Sequence, residues 1–236
     1  RSSDLPHAPA IAGTQHGRSA QRGPVRLGLQ LRVSVQSRVA NADYAAAAER
    51  RAEVQRAAEL VRRLPPFITP VLLVVNENAT KIRAYSAAIP QALLQFHGDE
   101  TPEQCLQATE QGKTPFVRAA RIPLGPDAAA FDLVKYAQDY SQAQAILLDA
   151  HVDGYGGGGK TFNWSQLPPN VNAHLVLSGG LTPANVTDGI RQLRPKALSL
   201  AVDVSSGVEL DGQKGLKDAR KIQEFVAAVK AADAIE

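Results

Sequence analysis

Three successive apolar runs in the second half of this 236-residue chain each break into glycine, and that repetition constrains the fold more than any other feature. The segments read LLDAHVDGYGGGGKTFNW (147–164), LVLSGGLTPANV (175–186) and AVDVSSGVEL (201–210). Where a strand-like run breaks into glycine, no Cβ shields the backbone N–H groups and an anion can approach them closely. Three such breaks in succession are how a parallel α/β barrel gathers a phosphate at the carboxyl ends of its last strands.

The same alternation runs backward along the chain. Apolar runs fall at 71–75, 92–96, 116–122, 145–148, 175–177 and 197–202. They are short and mostly unbroken, as expected of strands covered on both faces. Helix-like segments lie between them. Thr101-Pro102-Glu103 opens one with a capping residue, a proline and an early acid, and Thr182-Pro183-Ala184 opens another in the same way. The last covers 216–232, with Ile222, Phe225, Val226 and Val229 on one face. This order predicts a parallel sheet with right-handed crossovers.

Six strand–helix units are visible and a closed barrel needs eight, so two more are sought before residue 71. A helix is predicted over 57–63, extending back through 41–55. Residues 25–35 alternate strictly, with Val25, Leu27, Leu29, Leu31, Val33 and Val35 on one side and Arg26, Gly28, Gln30, Arg32 and Ser34 on the other. Two arginines and a glutamine fit poorly inside a packed barrel, so this run is expected as an exposed or edge strand rather than a regular barrel strand. Residues 1–24 show no periodicity and are expected to be disordered or loosely attached.

Composition narrows the class. The chain is 44% hydrophobic, enough for a sizeable core, but only 5% aromatic, so aliphatic residues and alanine must fill it. Its one cysteine, Cys105, excludes an intramolecular disulfide and a cysteine-based metal cluster and suits a reducing, cytoplasmic setting. No apolar run approaches the 18 or so residues of a membrane helix, and a net charge of +3 is too small to argue for nucleic acid. The charge is unevenly spread. Residues 1–56 hold 9 arginines, no lysine and 4 acidic residues, whereas the whole chain has 26 basic and 23 acidic residues. Residues 1–56 are therefore read as an atypical Arg-rich segment and 57–236 as a phosphate-binding barrel domain. The bias extends too far for a transit peptide.

Several residues are candidates for chemistry. Gly157, Gly158 and Gly159 precede Lys160 and could cradle an anion or form a plain surface loop. Gly179 and Gly180 follow Leu177 and Ser178. Ser205, Ser206 and Gly207 follow Asp203, which either lines the pocket or organises the turn. Asp149 ends an apolar run where barrel chemistry is usually placed, as a general acid or base or as a loop-bonding carboxylate. His97, also at a strand end, is a candidate for lining the pocket. Cys105 lies inside a helix and reads as a buried small side chain. No metal-ligand set and no cofactor are expected.

In that order and spacing, LLQFHGDETPEQC, ILLDAHVDGYGGGGKTFNW, LVLSGGLTPANV and AVDVSSGVELDGQKGLKDARKIQEFV resemble the phosphoribosylanthranilate isomerase family of tryptophan biosynthesis. The resemblance runs from about Ala57 to the carboxyl terminus. It implies a (β/α)8 TIM barrel, here with an irregular or incomplete amino-terminal portion. It also implies a cofactor-free isomerase whose only partner is a small phosphosugar, acting in the cytoplasm as a monomer or homodimer. In such enzymes an aspartate after the sixth strand protonates the furanose ring oxygen, and Asp149 matches it. The family's base is a cysteine in a Lys-x-Cys-Gly segment after the first strand, and a Ser-Pro-Arg arginine after the second grips the anthranilate carboxylate.

The sequence departs from the family in that portion. It has no Lys-x-Cys-Gly segment, so the general base is unassigned, and Gln36-Ser37-Arg38 is a poor echo of Ser-Pro-Arg. The Arg/Ala/Gln/Ser bias of 1–56 is what a shifted frame of GC-rich DNA encodes, and a frameshift or mis-called gene start is the expected origin. Two other readings stay open: a catalytically inactive phosphate-binding barrel, and another phosphosugar barrel enzyme, which would need a catalytic lysine at a strand end.

Overall fold

The computed structural model describes residues 26–27, 32–34 and 233 as backbone, and residues 54–124, 131–150 and 161–232 in full. Its framework is one parallel sheet. The strands are β1 (Arg26–Leu27), β2 (Arg32–Ser34), β3 (Val71–Val74), β4 (Leu93–Phe96), β5 (Phe116–Ile122), β6 (Ala145–Ala150), β7 (His174–Leu177) and β8 (Ser199–Val202). Each of β3 to β8 pairs in parallel with the next. The helices are α1 (54–61), α2 (Ala79–Ala88), α3 (Pro102–Ala108), α4 (Leu133–Asp139), α5 (Val186–Leu193) and α6 (Ala219–Asp233). The six apolar runs all become strands, and β6 extends past the expected 145–148 to take in Asp149 and Ala150.

The sheet ends where the chain begins. β1 pairs with β8 (Arg26 opposite Ala201) and β2 pairs with β3 (Arg32 opposite Val71), so both are edge strands of the eight-strand order β1-β8-β7-β6-β5-β4-β3-β2. Only residues 28–31 separate them in sequence. A link of five peptide units spans at most about 18 Å. The two edges therefore stand close together, and the sheet curls nearly shut. One alternating run serves both edges, where the barrel pattern predicted two strands with a helix between them. The edge-strand expectation for 25–35 holds for its described residues. The expected looseness of 1–24 and the helix through 41–53 lie outside them.

Side chains alternate across the sheet. Leu94, Phe96, Ile146, Leu148, Leu175, Leu177, Leu200 and Val202 face outward into two clusters packed under the helices. The inner cluster is small: Val117, Ala119, Leu147 and Val176, with Leu93, Ala145 and Ala201 against it. Alanine and valine suit a narrow barrel interior, and their positions fix which residues point toward the mouth.

Helix starts follow their caps. Thr101 and Gln104 form a reciprocal capping box, with Pro102 in the first turn, as Thr101-Pro102-Glu103 predicted. Asn78 and Asp132 cap α2 and α4. Two predicted starts are corrected. Thr182-Pro183-Ala184 forms a turn and α5 begins at Val186, because the Asn185 side chain accepts from Thr182 N and donates to Gly180 O, tying the chain into a loop first. The last helix starts at Ala219, not residue 216, because Lys217 is held in an antiparallel bridge to Glu209.

Candidate active site

The inward-facing positions turn polar at the carboxyl ends of the strands. Gln95 on β4, His97 just beyond it, Asp149 on β6, Ser178 after β7 and Asp203 after β8 are all buried. Each follows an outward-facing apolar residue by one position, so period-two alternation alone aims them at the barrel mouth. Gln95 Nε2 lies 2.9 Å from His97 Nδ1, and His97 Nε2 lies 3.0 Å from Asp149 Oδ2. Asp149 Oδ1 accepts from its neighbour Ala150 N at 3.0 Å. Ser178 Oγ donates to Asp203 Oδ2, also at 3.0 Å.

The His97–Asp149 contact crosses a whole strand. Phe96 is level with Arg118, which puts His97 level with Ala119 of β5, and Ala119 is level with Leu147 of β6. Two strand spacings amount to about 10 Å. The two side chains meet across β5, whose inward residue level with His97 is Ala119, with only a methyl group to offer.

The glycine turns close in on the same place. Gly179 has φ +74°, and a Cβ built on it would stand 2.5 Å from Asp149 Oδ1 and 2.7 Å from Ala150 N. The turn after β7 thus presses its backbone against the acid. Gly180 follows with φ +65°. A Cβ on Gly207 would stand 1.8 Å from Leu181 O, so the turns after β7 and β8 touch. Ser205 and Ser206 are on that second turn, and Lys217 Nζ donates to Ser205 O at 2.8 Å. Asp149, His97, Asp203, Gly179, Gly180, Ser205, Ser206 and Gly207 are therefore assembled at one end of the barrel. Gly157, Gly158 and Gly159 lie outside the described residues.

Three features escaped the sequence reading. Gln95 extends the polar chain behind His97. Arg118, outward on β5, donates to Phe96 O and Gly98 O at 3.0 Å each and so grips the peptide on both sides of His97. It lies 3.5 Å from Glu100 and stacks on Tyr140 with 4.9 Å to the ring centroid. Arg121, level with Asp149, pairs with Asp99 at 3.5 Å. Their signal was present: a glutamine and two arginines inside otherwise apolar strand runs. Cys105 is fully buried on α3, outside the sheet, and burial pushes its thiol up to about 12. Among the described residues, no group of three or more His, Cys, Asp and Glu could hold a metal ion. No described helix is long and apolar enough to cross a membrane.

A parallel α/β barrel with a buried carboxylate at one strand end and glycine turns at the next two has the layout of a (β/α) barrel enzyme, which sets its chemistry at the carboxyl ends of its strands. Comparison with known proteins narrows the class. Residues 29–228 match the family described as N-(5'-phosphoribosyl)anthranilate (PRA) isomerase, and the chain belongs to that family. The match begins at residue 29, earlier than the Ala57 suggested by the motifs. N-(5'-phosphoribosyl)anthranilate isomerase of Leptothrix cholodnii is 55% identical over 175 residues, covering 74% of this chain and 73% of that one. The same-named protein of Methylibium petroleiphilum is also 55% identical over 175 residues, covering 74% and 75%. The crystal structure of the Thermotoga maritima isomerase superposes with a TM-score of 0.59 at 32% identity, over 76% of this chain and 80% of that one. An isomerase complex with reduced 1-(o-carboxyphenylamino)-1-deoxyribulose 5-phosphate gives a TM-score of 0.54 at 29% identity, over 76% and 79%.

Proposed function

We propose that the barrel, taken as residues 57–236 with an atypical segment before it, converts N-(5'-phosphoribosyl)anthranilate to 1-(2-carboxyphenylamino)-1-deoxyribulose 5-phosphate. The observation that carries this reading is the contact of Asp149 with both His97 and the Gly179 turn, because it sets an acid beside a backbone cradle for an anion. The phosphate rests on the amides of the Gly179–Gly180 and Ser205–Gly207 turns, with Gly157, Gly158 and Gly159 assigned to the same cradle. Asp203 orders the second turn through Ser178. Asp149 gives its proton to the furanose ring oxygen, the C1′–O bond breaks, and the nitrogen lone pair forms the iminium. A base then removes the C2′ proton, and the enolamine tautomerises to the ketone. Holding the substrate between acid and base supplies much of the acceleration over solution. The substrate is a small phosphosugar, and the site of action is the cytoplasm.

A second reading follows from Cys105. The only cysteine is buried under the sheet with its thiol pushed up to about 12, so it cannot serve as the base at the mouth. Loss of a general base lowers rates by about 10² to 10⁴, which would leave a phosphate-binding barrel with little or no turnover. Loss of substrate fluorescence on adding protein separates the readings. Turnover abolished in Asp149→Ala supports the isomerase. Turnover that survives this substitution overturns the assignment of the acid. Saturable phosphate binding without turnover favours the inactive barrel.

A further inference from the structure

We infer that Gln95 is a positioning residue that selects the tautomer of His97, setting the ring proton on Nε2 and so making it a hydrogen-bond donor to Asp149. The inference extends the reading of Asp149 as the acid but does not need turnover to be tested.

With the Gln95 amide oriented as it stands, the donors and acceptors permit one consistent pattern; with the amide turned about, an imidazolium donating from both nitrogens would be satisfied instead, and the ring's protonation distinguishes the two. Gln95 Nε2, an amide nitrogen, can only donate, and it lies 2.9 Å from His97 Nδ1. Nδ1 must then offer its lone pair. A neutral ring carries its single proton on the other nitrogen, and Nε2 lies 3.0 Å from Asp149 Oδ2, a carboxyl oxygen that can accept it. Against the turned amide, a neutral ring would put its proton on Nδ1 and set the Nε2 lone pair against the carboxylate. Against the amide as it stands, a doubly protonated ring would point an N–H at the amide N–H groups.

Burial makes this selection effective. Gln95 is fully buried and His97 is 2% exposed, and among the described residues Oε1 of Gln95 has no hydrogen-bond partner, so Nε2 is the end of the amide that bonds. Arg118 holds the carbonyls of Phe96 and Gly98, so the backbone that carries the ring is fixed on both sides. The consequence is chemical. When Asp149 releases its proton, the His97 Nε2–H stabilises the carboxylate left behind, and the proton delivered is that of the carboxyl rather than of the ring.

The test is the protonation pattern of His97 in the full chain, read by long-range proton–nitrogen correlation of the imidazole rings. The His97 signals are identified among those of the five histidines by their loss in His97→Asn. Near neutral pH the unsubstituted protein should show a protonated Nε2 and a bare Nδ1. Gln95→Glu sets an acceptor on Nδ1 and should bring a second proton onto the ring. Gln95→Leu should yield a mixture of tautomers. A protonated Nδ1 or a doubly protonated ring in the unsubstituted protein overturns the inference. So does an unchanged ring pattern in Gln95→Glu that retains its circular dichroism and melting transition. Should both variants fail to fold, the unsubstituted spectrum decides alone. Where turnover is measurable, Gln95→Leu should lower kcat about tenfold or more with little change in KM. The inferred tautomer in a protein without turnover would count against the isomerase reading and leave this one standing.

Discussion

Gly179 lies against Asp149 so closely that no other residue fits between the turn after β7 and the acid on β6: an added Cβ would stand 2.5 Å from Asp149 Oδ1. The glycine also sits at φ +74°, where an L side chain is strained by about 1–3 kcal/mol. Gly179→Ala should therefore lower unfolding free energy by about that amount in a denaturant titration. It should also reduce turnover by about 10²-fold, because displacing the acid by an ångström is enough to spoil its alignment. Unchanged activity in Gly179→Ala would show that this contact does not position the acid.

Ala119 lies level with His97 on β5, the strand between His97 and Asp149. Ala119→Leu fills the inner face of β5 with a side chain that must push the imidazole and the carboxylate apart, and overpacking a tight interior costs about 1–3 kcal/mol. The expected signature is a variant that still folds, with kcat reduced at least tenfold and the His97 ring signals moved. Ala119→Gly, which adds no bulk there, should retain the ring signals. If Ala119→Leu leaves them in place, the ring does not cross β5 as described.

How much of this was legible follows from which forces act locally. Phe116–Ile122 was readable as a strand to the residue, because a run covered on both faces leaves an apolar record in sequence order. The Thr101 cap was readable because its partner, Gln104, is three residues away. Asp149 and Gly179 were readable as lying at the ends of two apolar runs, but not their contact, since it depends on β6 and β7 lying side by side. Gln95 and Arg118 were missed because one polar residue in an apolar run does not name its partner, here 2 and 22 positions away. The amino-terminal edges were half legible. The alternation of 25–35 announced a strand, but nothing in it announced that its two ends pair with β8 and β3.

The turns after β7 and β8, proposed as the phosphate cradle, meet only while Gly207 remains small. A Cβ there would meet Leu181 O at 1.8 Å and Leu181 C at 2.8 Å, both backbone atoms that no rotamer change can move. Gly207→Ala should force the turns apart. Inhibition by inorganic phosphate should weaken by about tenfold, corresponding to about 1.4 kcal/mol of binding, while Asp149 and His97 keep their contact. Equal phosphate affinity in Gly207→Ala and the unsubstituted protein would remove the Ser205–Gly207 turn from the cradle.

Cys105 supplies the pH dependence. Burial raises its thiol from an ordinary 9.0 to about 12, so the folded state favours the protonated form. The stability tied to that neutral thiol is fully present below about pH 9 and is lost as pH climbs from 9 toward 12, because the unfolded thiol ionises first. Urea titrations between pH 7 and pH 10.5 should therefore show falling stability, with a shallower fall in Cys105→Ala, where other alkaline groups titrate as before. The same burial should leave the thiol inert to iodoacetamide at pH 8 in the folded protein and reactive once urea unfolds it. Rapid alkylation of the folded protein at pH 8 would show an accessible thiolate and reopen Cys105 as a candidate base. Slow alkylation leaves Cys105 excluded as the base.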